Sequence, residues 1–371
     1  VGETITVGQV TVPVLRPDSA AELGRMVAEA RAEKRAVYPV GGRTMLDLGL
    51  PPTKPGVALD TTALNGVIDY PARDMTVTVQ AGMTIDALAG VLAKENQWLP
   101  IDVPLPGRAT VGGAVAANAS GPRRFGYGTL RDYVIGVSFV TDDGVEVKGG
   151  GRVVKNVAGY DFMKLQTGAM GTLGVVTQLT LKVRPRPEAA VAVAFGCPVN
   201  GLAAALDLLH KSNSRPVAVE LLNAAAWKEL GLPPVTGDWV VAVGFEEKRV
   251  TADWQRATLL AELNRPTVEA DGVWQKATDL QVRAASRFIG KAAVRPSEAA
   301  AVANRANRDG VLVHGQPLNG ILWAHGEALS DEFVLRRGAT RPAKGGADWE
   351  LMKHVKRTLD PDDVFNPRRL W

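Results

Sequence analysis

The chain has 371 residues, 46% of them hydrophobic and 22% charged, with a formal net charge of +4. That length suits about two domains, and that balance suits a packed core rather than a disordered chain. The scattered Lys and Arg residues form no basic arm, which argues against nucleic-acid binding, and the single cysteine, Cys197, excludes an intrachain disulfide or an iron–sulfur cluster held by this chain alone.

The first amphipathic stretch, SAAELGRMVAEARAEK (19–34), predicts a helix opened by Asp18 or Ser19. It leads into the strand VYPV (37–40), the turn GGRTML and a second strand, VALD (57–60), so this region reads as a β–α–β unit. MTVTVQAG (75–82) alternates apolar and polar residues and predicts a half-buried strand. A helix with a threonine cap follows over 83–96, and VTQLTLKVRP (176–185) is a strand stopped by Pro185 and Pro187. From 191 strands and helices alternate: VAVAF, GLAAALDLLHK, VAVELL, WVVAVGF, a helix to Asn264, a helix over 273–286, a strand over 288–294, a helix over 297–307 and the pair VLVHG/GILWAH. An antiparallel sheet with helices on one face is the expected arrangement. DWELMKHVKRTLDPDDVFNP (348–367) predicts an amphipathic helix and a turn.

No run of about 18 apolar residues predicts a membrane span, and no signal-peptide pattern is present, although the chain starts at Val1 without Met. A cytoplasmic location is expected, with peripheral attachment at the inner membrane face through partners as the alternative.

Three glycine-rich places mark the first half: GGRTM (41–45), GRATVGGAVAANASGPRRFGYG (107–128) and TGAMGTLGVVT (167–177). The second holds six glycines and five alanines in 22 residues, too few large side chains to build a core wall. Thr110 predicts the cap of a helix whose first N–H groups favour an anion, and GGRT predicts a second nest of N–H groups after a buried strand. Together they suit a pyrophosphate with an apolar ring system. Neither GxGxxG in a β–α–β context nor GxxxxGK[ST] is present, so Rossmann and P-loop modes are unsupported.

The segments VYPVGGRTM, LDTTALNGVIDYPARDMTVTVQAGMTIDALAGVL, ATVGGAVAANASGPRRFGYGTLRDYVIGVSFVTDDG, YDFMKLQTGAMGTLGVVTQLTLKVRP and LDPDDVFNP, in that order, resemble the FAD-binding domain of the vanillyl-alcohol oxidase and p-cresol methylhydroxylase (PCMH) type. The resemblance covers about residues 12–185 and the tail. KNVAGYD (155–161) with ASGPRR is similar in particular to the FAD-binding E subunits of glycolate oxidases. It implies an α+β fold: a PCMH-type FAD-binding domain of two α+β subdomains over 1–186, an α+β cap over 187–335 with an antiparallel sheet, and a segment over 336–371 that returns to the first domain.

The resemblance also implies how a flavin would sit. Val40, Gly41, Gly42, Arg43, Thr44 and Met45, with Thr110, Val111, Gly112 and Gly113, would cradle the pyrophosphate. Asn118, Ser120, Gly121, Tyr127 and Gly128 would line the ribityl chain and ring. Gly171, Gly174, Val175 and Val176 would lie along the adenosine half, and Asn366 would approach the isoalloxazine. This chain departs from its relatives at Arg43 and Arg368, where glycine is usual, and at Ala169, where Ser is common. His210 is its first histidine, so no histidyl–flavin bond can form in the first half and a non-covalent FAD is expected.

The implied reaction is oxidation of a small 2-hydroxy acid to a 2-oxo acid by hydride transfer to flavin. It needs a cation for the carboxylate and a base for the hydroxyl proton. Arg283 and Arg287 are candidates for the first, His314 and His325 for the second. No metal is expected, because VHGQPLNGILWAHGE lacks the HGGDGN-like stretch of metal-binding relatives. The resemblance further implies a sister flavin subunit and an iron–sulfur subunit. The alternatives are a self-sufficient oxidoreductase acting on an alcohol, alditol or lactone, and a subunit with a vestigial flavin site.

Overall fold

The computed structural model describes residues 2–151, 160–283, 286–308, 310–338 and 348–369. Most of the KNVAGYD motif lies outside them.

The amino-terminal half holds two sheets. In the first, the strands run in the order Thr4–Val7, Val10–Leu15, Gly56–Asp60, Ala36–Val40. Gly56–Asp60 is parallel to both of its neighbours, and the helix Ala20–Ala32 makes the crossover that a parallel pair requires. Ser19 caps that helix by accepting from the Glu22 N–H, and Leu23, Val27 and Ala30 are fully buried along one face. The second sheet is antiparallel, in the order Val67–Asp69, Thr76–Gln80, Val175–Lys182, Val134–Val140, Glu146–Gly150.

The strand Thr76–Gln80 is buried on both faces, not on one: Thr76 and Thr78 are as enclosed as Val77 and Val79. Alternation of polarity is not alternation of exposure here, because Thr78 Oγ1 pairs with Thr180 Oγ1 on the next strand at 3.0 Å. Pairing of this kind lets a hydroxyl be buried at little cost.

The third sheet has eight antiparallel strands, in the order Val268–Glu269, Ala189–Cys197, Trp239–Glu247, Ala218–Asn223, Leu312–Gln316, Ile321–Gly326, Phe288–Ala293, Val334–Arg337. Its last strand straddles the expected division at 335/336. The helices Leu202–Lys211, Arg249–Leu263 and Ala299–Ala306 pack on one face, around Phe195, Leu221, Val241 and Leu322. The other face carries Ala224–Glu229 and Val273–Arg283, so helices cover both faces of this sheet rather than the one expected. Through the second of these it meets the amino-terminal half: Gln281 Nε2 donates to Ser120 O at 3.0 Å, and the Leu105 N–H donates to Asp279 Oδ1 at 2.8 Å.

Arg123 ties the same junction electrostatically. Its guanidinium donates to Asp102 at 2.5 Å and to Glu246, on the eight-stranded sheet, at 2.7 Å. Both carboxylates are almost fully buried. Arg123→Met strands two buried acids, and removing one partner of a buried pair costs about 3–5 kcal/mol. Urea unfolding should therefore show a loss of that size; a loss below about 1 kcal/mol would count against the clamp.

The tail lies against the amino-terminal half. Val37 N donates to Val364 O at 2.8 Å and Asn366 N to Val37 O at 3.0 Å, so the tail runs parallel beside the strand Ala36–Val40. On the helix Asp348–Leu359, the buried Lys356 ammonium donates to Thr172 O, Phe365 O and the Asp360 carboxylate.

Candidate functional site

The strand Ala36–Val40 ends at a turn whose backbone is the heart of the site. The N–H groups of Gly42, Arg43, Thr44 and Met45 have no protein acceptor among the described residues. Arg43 has φ +57°, and a left-handed residue within such a turn makes successive N–H groups converge on a concavity suited to an anion. A Cβ at Gly42 would collide with Arg108 O, so only glycine lets this turn approach the 105–110 loop. The Arg43 side chain points elsewhere, held by Asp60 at 2.8 Å and Glu3 at 2.9 Å. It is the backbone of Arg43, not its charge, that is offered to the site.

Across from the turn, Thr110 caps the helix Val111–Ala117 by accepting from the Gly113 N–H. The expectation of free first-turn N–H groups needs correcting. Val111 N–H donates to Met83 O and Gly112 N–H to Ala81 O, both at 2.8 Å, so this helix end contributes its dipole and its lack of bulk rather than open donors.

Between these elements runs a cleft with about 1040 Å³ of open space, solvent included. Val40, Gly41, Gly42, Arg43, Thr44, Met45, Thr110, Gly112, Gly113, Gly171, Gly174, Val175, Val176 and Asn366 all border it. A smaller cavity adjoins it, sharing Met45, Leu48 and Ala117, and takes in Asn118 and Ser120.

Four of the residues expected to hold the flavin border neither cavity. Val111 is fully buried in the core. Gly121 is pressed between Thr278 and Asp102, and Gly128 is a turn residue at φ +86° beside Asp132. The Tyr127 ring lies edge-on to Trp98 at 5.7 Å with the Arg184 guanidinium over it. Gly121 and Tyr127 belong to the junction between the two halves, the one against Thr278 and the other against Glu246.

The tail contributes more than Asn366, whose Nδ2 donates to Met170 O at 2.7 Å. Arg369 also borders the cleft, its guanidinium bonded to the Leu46 and Leu50 carbonyls rather than to a carboxylate. Burial brings its pKa down to about 10, so it stays cationic at neutral pH. Arg368, in the position where relatives carry glycine, is exposed and adopts φ +62°. The backbone demand for a left-handed residue is kept although the glycine is not.

The smaller cavity is walled by the eight-stranded sheet: Ile289, Lys291, Trp323, Arg336 and Arg337, with Gln281 from the helix Val273–Arg283. Lys291 has no carboxylate or hydrogen-bond partner among the described residues, and its ammonium lies 5.4 Å from the centroid of the Trp323 ring. Burial, then Arg336 and Arg124, push its pKa down to about 8. Arg337, by contrast, is paired with Asp47 and donates to Val282 O.

The candidates for catalysis fall differently. The Arg283 side chain lies outside the described residues. Arg287 is exposed, stacks over Phe288 and borders neither cavity. His314 and His325 are sealed in the sheet at 0% and 1% exposure. His314 Nε2 lies 3.1 Å from His325 Nε2, and His314 Nδ1 lies 3.0 Å from Glu220 Oε1. Trp323, stacked on His314, borders the smaller cavity while the histidines do not. No group of three or more His, Cys, Asp or Glu able to hold a metal occurs among the described residues.

A nest of open N–H groups, a bulk-free helix end and a long cleft closed by the tail define a dinucleotide-binding flavoprotein. Residues 13–150 match the family described as FAD binding domain, and residues 333–370 match the C-terminal domain of FAD linked oxidases. The chain thus carries segments matching a FAD-binding domain and the C-terminal domain of FAD linked oxidases, and FAD is its cofactor. It is 36% identical over 177 residues, 47% of this chain and 50% of that protein, to the glycolate oxidase subunit GlcE of Escherichia coli strain K12. It is 37% identical over 46% of its length to the D-2-hydroxyglutarate dehydrogenase of Xanthomonas citri pv. viticola, and 37% over 47% to the D-lactate dehydrogenase of Anaerostipes hadrus, covering 36% and 37% of those proteins. The matched region thus spans half or less of each relative. Among solved structures, alkyldihydroxyacetonephosphate synthase superposes with a TM-score of 0.74 over 98% of this chain and 78% of that one, at 18% identity, which establishes the shared fold. No described helix is long and apolar enough to cross a membrane.

Proposed function

We propose that this chain is the FAD-binding subunit of a 2-hydroxy acid dehydrogenase complex of the glycolate oxidase kind, oxidising a 2-hydroxy acid to a 2-oxo acid. The observation that carries the proposal is the unpaired Lys291 ammonium in a cavity continuous with the flavin cleft. A partly buried cation without a counter-ion favours an anion beside it, and a substrate carboxylate supplies one.

Oxidation removes a hydride from the substrate Cα and a proton from its hydroxyl, the proton passing to solvent water. FAD, when bound, supplies the two-electron acceptor. Lys291 binds and orients the carboxylate. Trp323 and Ile289 give that contact apolar walls, which strengthen it. The two histidines are cut off from the cavity and do not contact substrate.

Cys197 is buried and stands alone, so onward electron transfer through iron–sulfur clusters falls to another subunit, with a sister flavin subunit as the second partner. The reading as a subunit of a complex rests on the resemblance to a protein named as a subunit.

The test is anaerobic mixing of the FAD-loaded chain, alone and with its co-purifying partners, with glycolate or D-lactate. Bleaching of the flavin's visible band in the assembly supports the proposal; bleaching of the isolated chain to the same extent favours a self-sufficient oxidase. Lys291→Met should lower the second-order rate of flavin reduction by about 100-fold, since losing a buried charged contact costs about 2–5 kcal/mol. A change below about threefold would remove Lys291 from the carboxylate site.

A further inference from the structure

The strand Val334–Arg337 is irregular where it meets the smaller cavity. Ile289 pairs with Arg337, but the next residue, Gly290, pairs with Leu335. Arg336 is left opposite nothing. In a regular strand neighbouring side chains point to opposite faces, so Arg336 and Arg337 could not both border one cavity. The β-bulge cancels that alternation, and both do. Bulges re-aim side chains in this way beside functional sites.

The two arginines end up in different states. Arg337 is neutralised by Asp47. The Arg336 guanidinium has neither an ion pair nor a hydrogen bond among the described residues, and its Nε is shut off from solvent. It lies near enough to Lys291 to disfavour that residue's charge, and burial disfavours its own. Two unneutralised cations in one small cavity cost stability, and Lys291 needs only one carboxylate. A monocarboxylate would leave Arg336 uncompensated.

We propose that Arg336 is a specificity-determining residue that binds a second anionic group at the far end of the substrate, so that the preferred class is a 2-hydroxy acid carrying a second carboxylate or a phosphate. This rests on the proposed hydroxy acid chemistry for its first anion, but the second-anion site can be tested apart from it. The planar guanidinium offers paired donors to either oxyanion.

The experiment uses the full FAD-loaded chain in two arms. In the first, isothermal titration measures binding of unreactive acids: propionate, succinate and phosphonoacetate. Succinate or phosphonoacetate should bind at least about 10-fold more tightly than propionate, Arg336→Leu should abolish the difference, and Arg336→Lys should restore part of it. Which of the two diacids leads identifies the second group. In the second arm, anaerobic flavin reduction compares D-malate and 3-phospho-D-glycerate with D-lactate. The preference for the doubly charged acid should fall by at least about 10-fold in Arg336→Leu. Equal binding of succinate, phosphonoacetate and propionate, or an equal loss for all three in the variant, overturns the proposal. If succinate or phosphonoacetate binds in an Arg336-dependent way while no hydroxy acid reduces the flavin, the second-anion site stands and the hydroxy acid reading falls.

Discussion

Gly113→Phe yields a folded protein that purifies colourless. Gly113 is exposed at the third position of the helix Val111–Ala117 and borders the cleft, and a Cβ there meets only Thr110 Oγ1, at 3.0 Å. A small rotation of that threonine accommodates it, and phenylalanine is a better helix former than glycine by several tenths of a kcal/mol. The ring then occupies space intended for the cofactor. FAD affinity should drop by at least about 100-fold, read by fluorescence titration, while far-UV circular dichroism keeps the wild-type spectrum. Stoichiometric FAD on the purified variant would mean that the cofactor lies elsewhere. Gly42→Val is the contrasting case: there the clash is with the Arg108 backbone, so the fold should fail together with the colour.

The second large effect concerns pH and the sealed cluster behind Trp323. Burial, with Asp102 adding to it, lifts Glu220 from an ordinary 4.5 to about 8. Burial drops His314 from 6.5 to about 3 and His325 to about 2. At neutral pH all three are uncharged. Glu220 then donates to His314 Nδ1, His314 donates from Nε2 to His325 Nε2, and Gln316 donates to the other Glu220 oxygen at 2.7 Å. The folded state holds a proton on Glu220 that the unfolded chain releases above 4.5, so this contribution fades as pH rises from about 4.5 toward 8. The histidines act in the other direction: the unfolded chain takes up protons below 6.5 that the folded state refuses, so stability falls as pH drops below 6.5. The two limbs put the cluster's optimum near pH 6.5. Glu220→Gln mimics the protonated acid, and its amide can still donate to His314 and accept from Gln316. Between pH 6.5 and 8 the wild type should lose about 2 kcal/mol relative to this variant, measured by urea unfolding at both values. Parallel curves would show that Glu220 is ionised throughout.

Much of this was readable from residue order alone. Caps at Ser19, Thr84 and Thr110 mark helix starts that the structure reproduces, because a capping hydroxyl acts within its own turn. The three glycine-rich segments do line one cleft, since small residues cluster where a backbone must come close to something large. What escaped was set by contacts distant in sequence. Tyr127 and Gly121 sit in conspicuous motifs, yet their surroundings come from the junction at Trp98, Arg184 and Thr278. Lys291 left one clue, a lysine on the same strand face as Ile289 in an otherwise apolar run. Arg336 left none, because nothing in VLRR announces a register shift. His314 and His325 bracket a hairpin, and their sequence positions do not show that Trp323 stands between them and the cavity.

The pairing of Val364 and Asn366 with Val37 imposes an order of events during synthesis. The nest after Val40 leaves the ribosome early, but the strand that braces it and the Arg369 guanidinium beside it come more than 300 residues later. Cofactor capture is therefore a post-translational step, and nascent chains shorter than about residue 369 should lack a competent pocket however well their first sheets have formed.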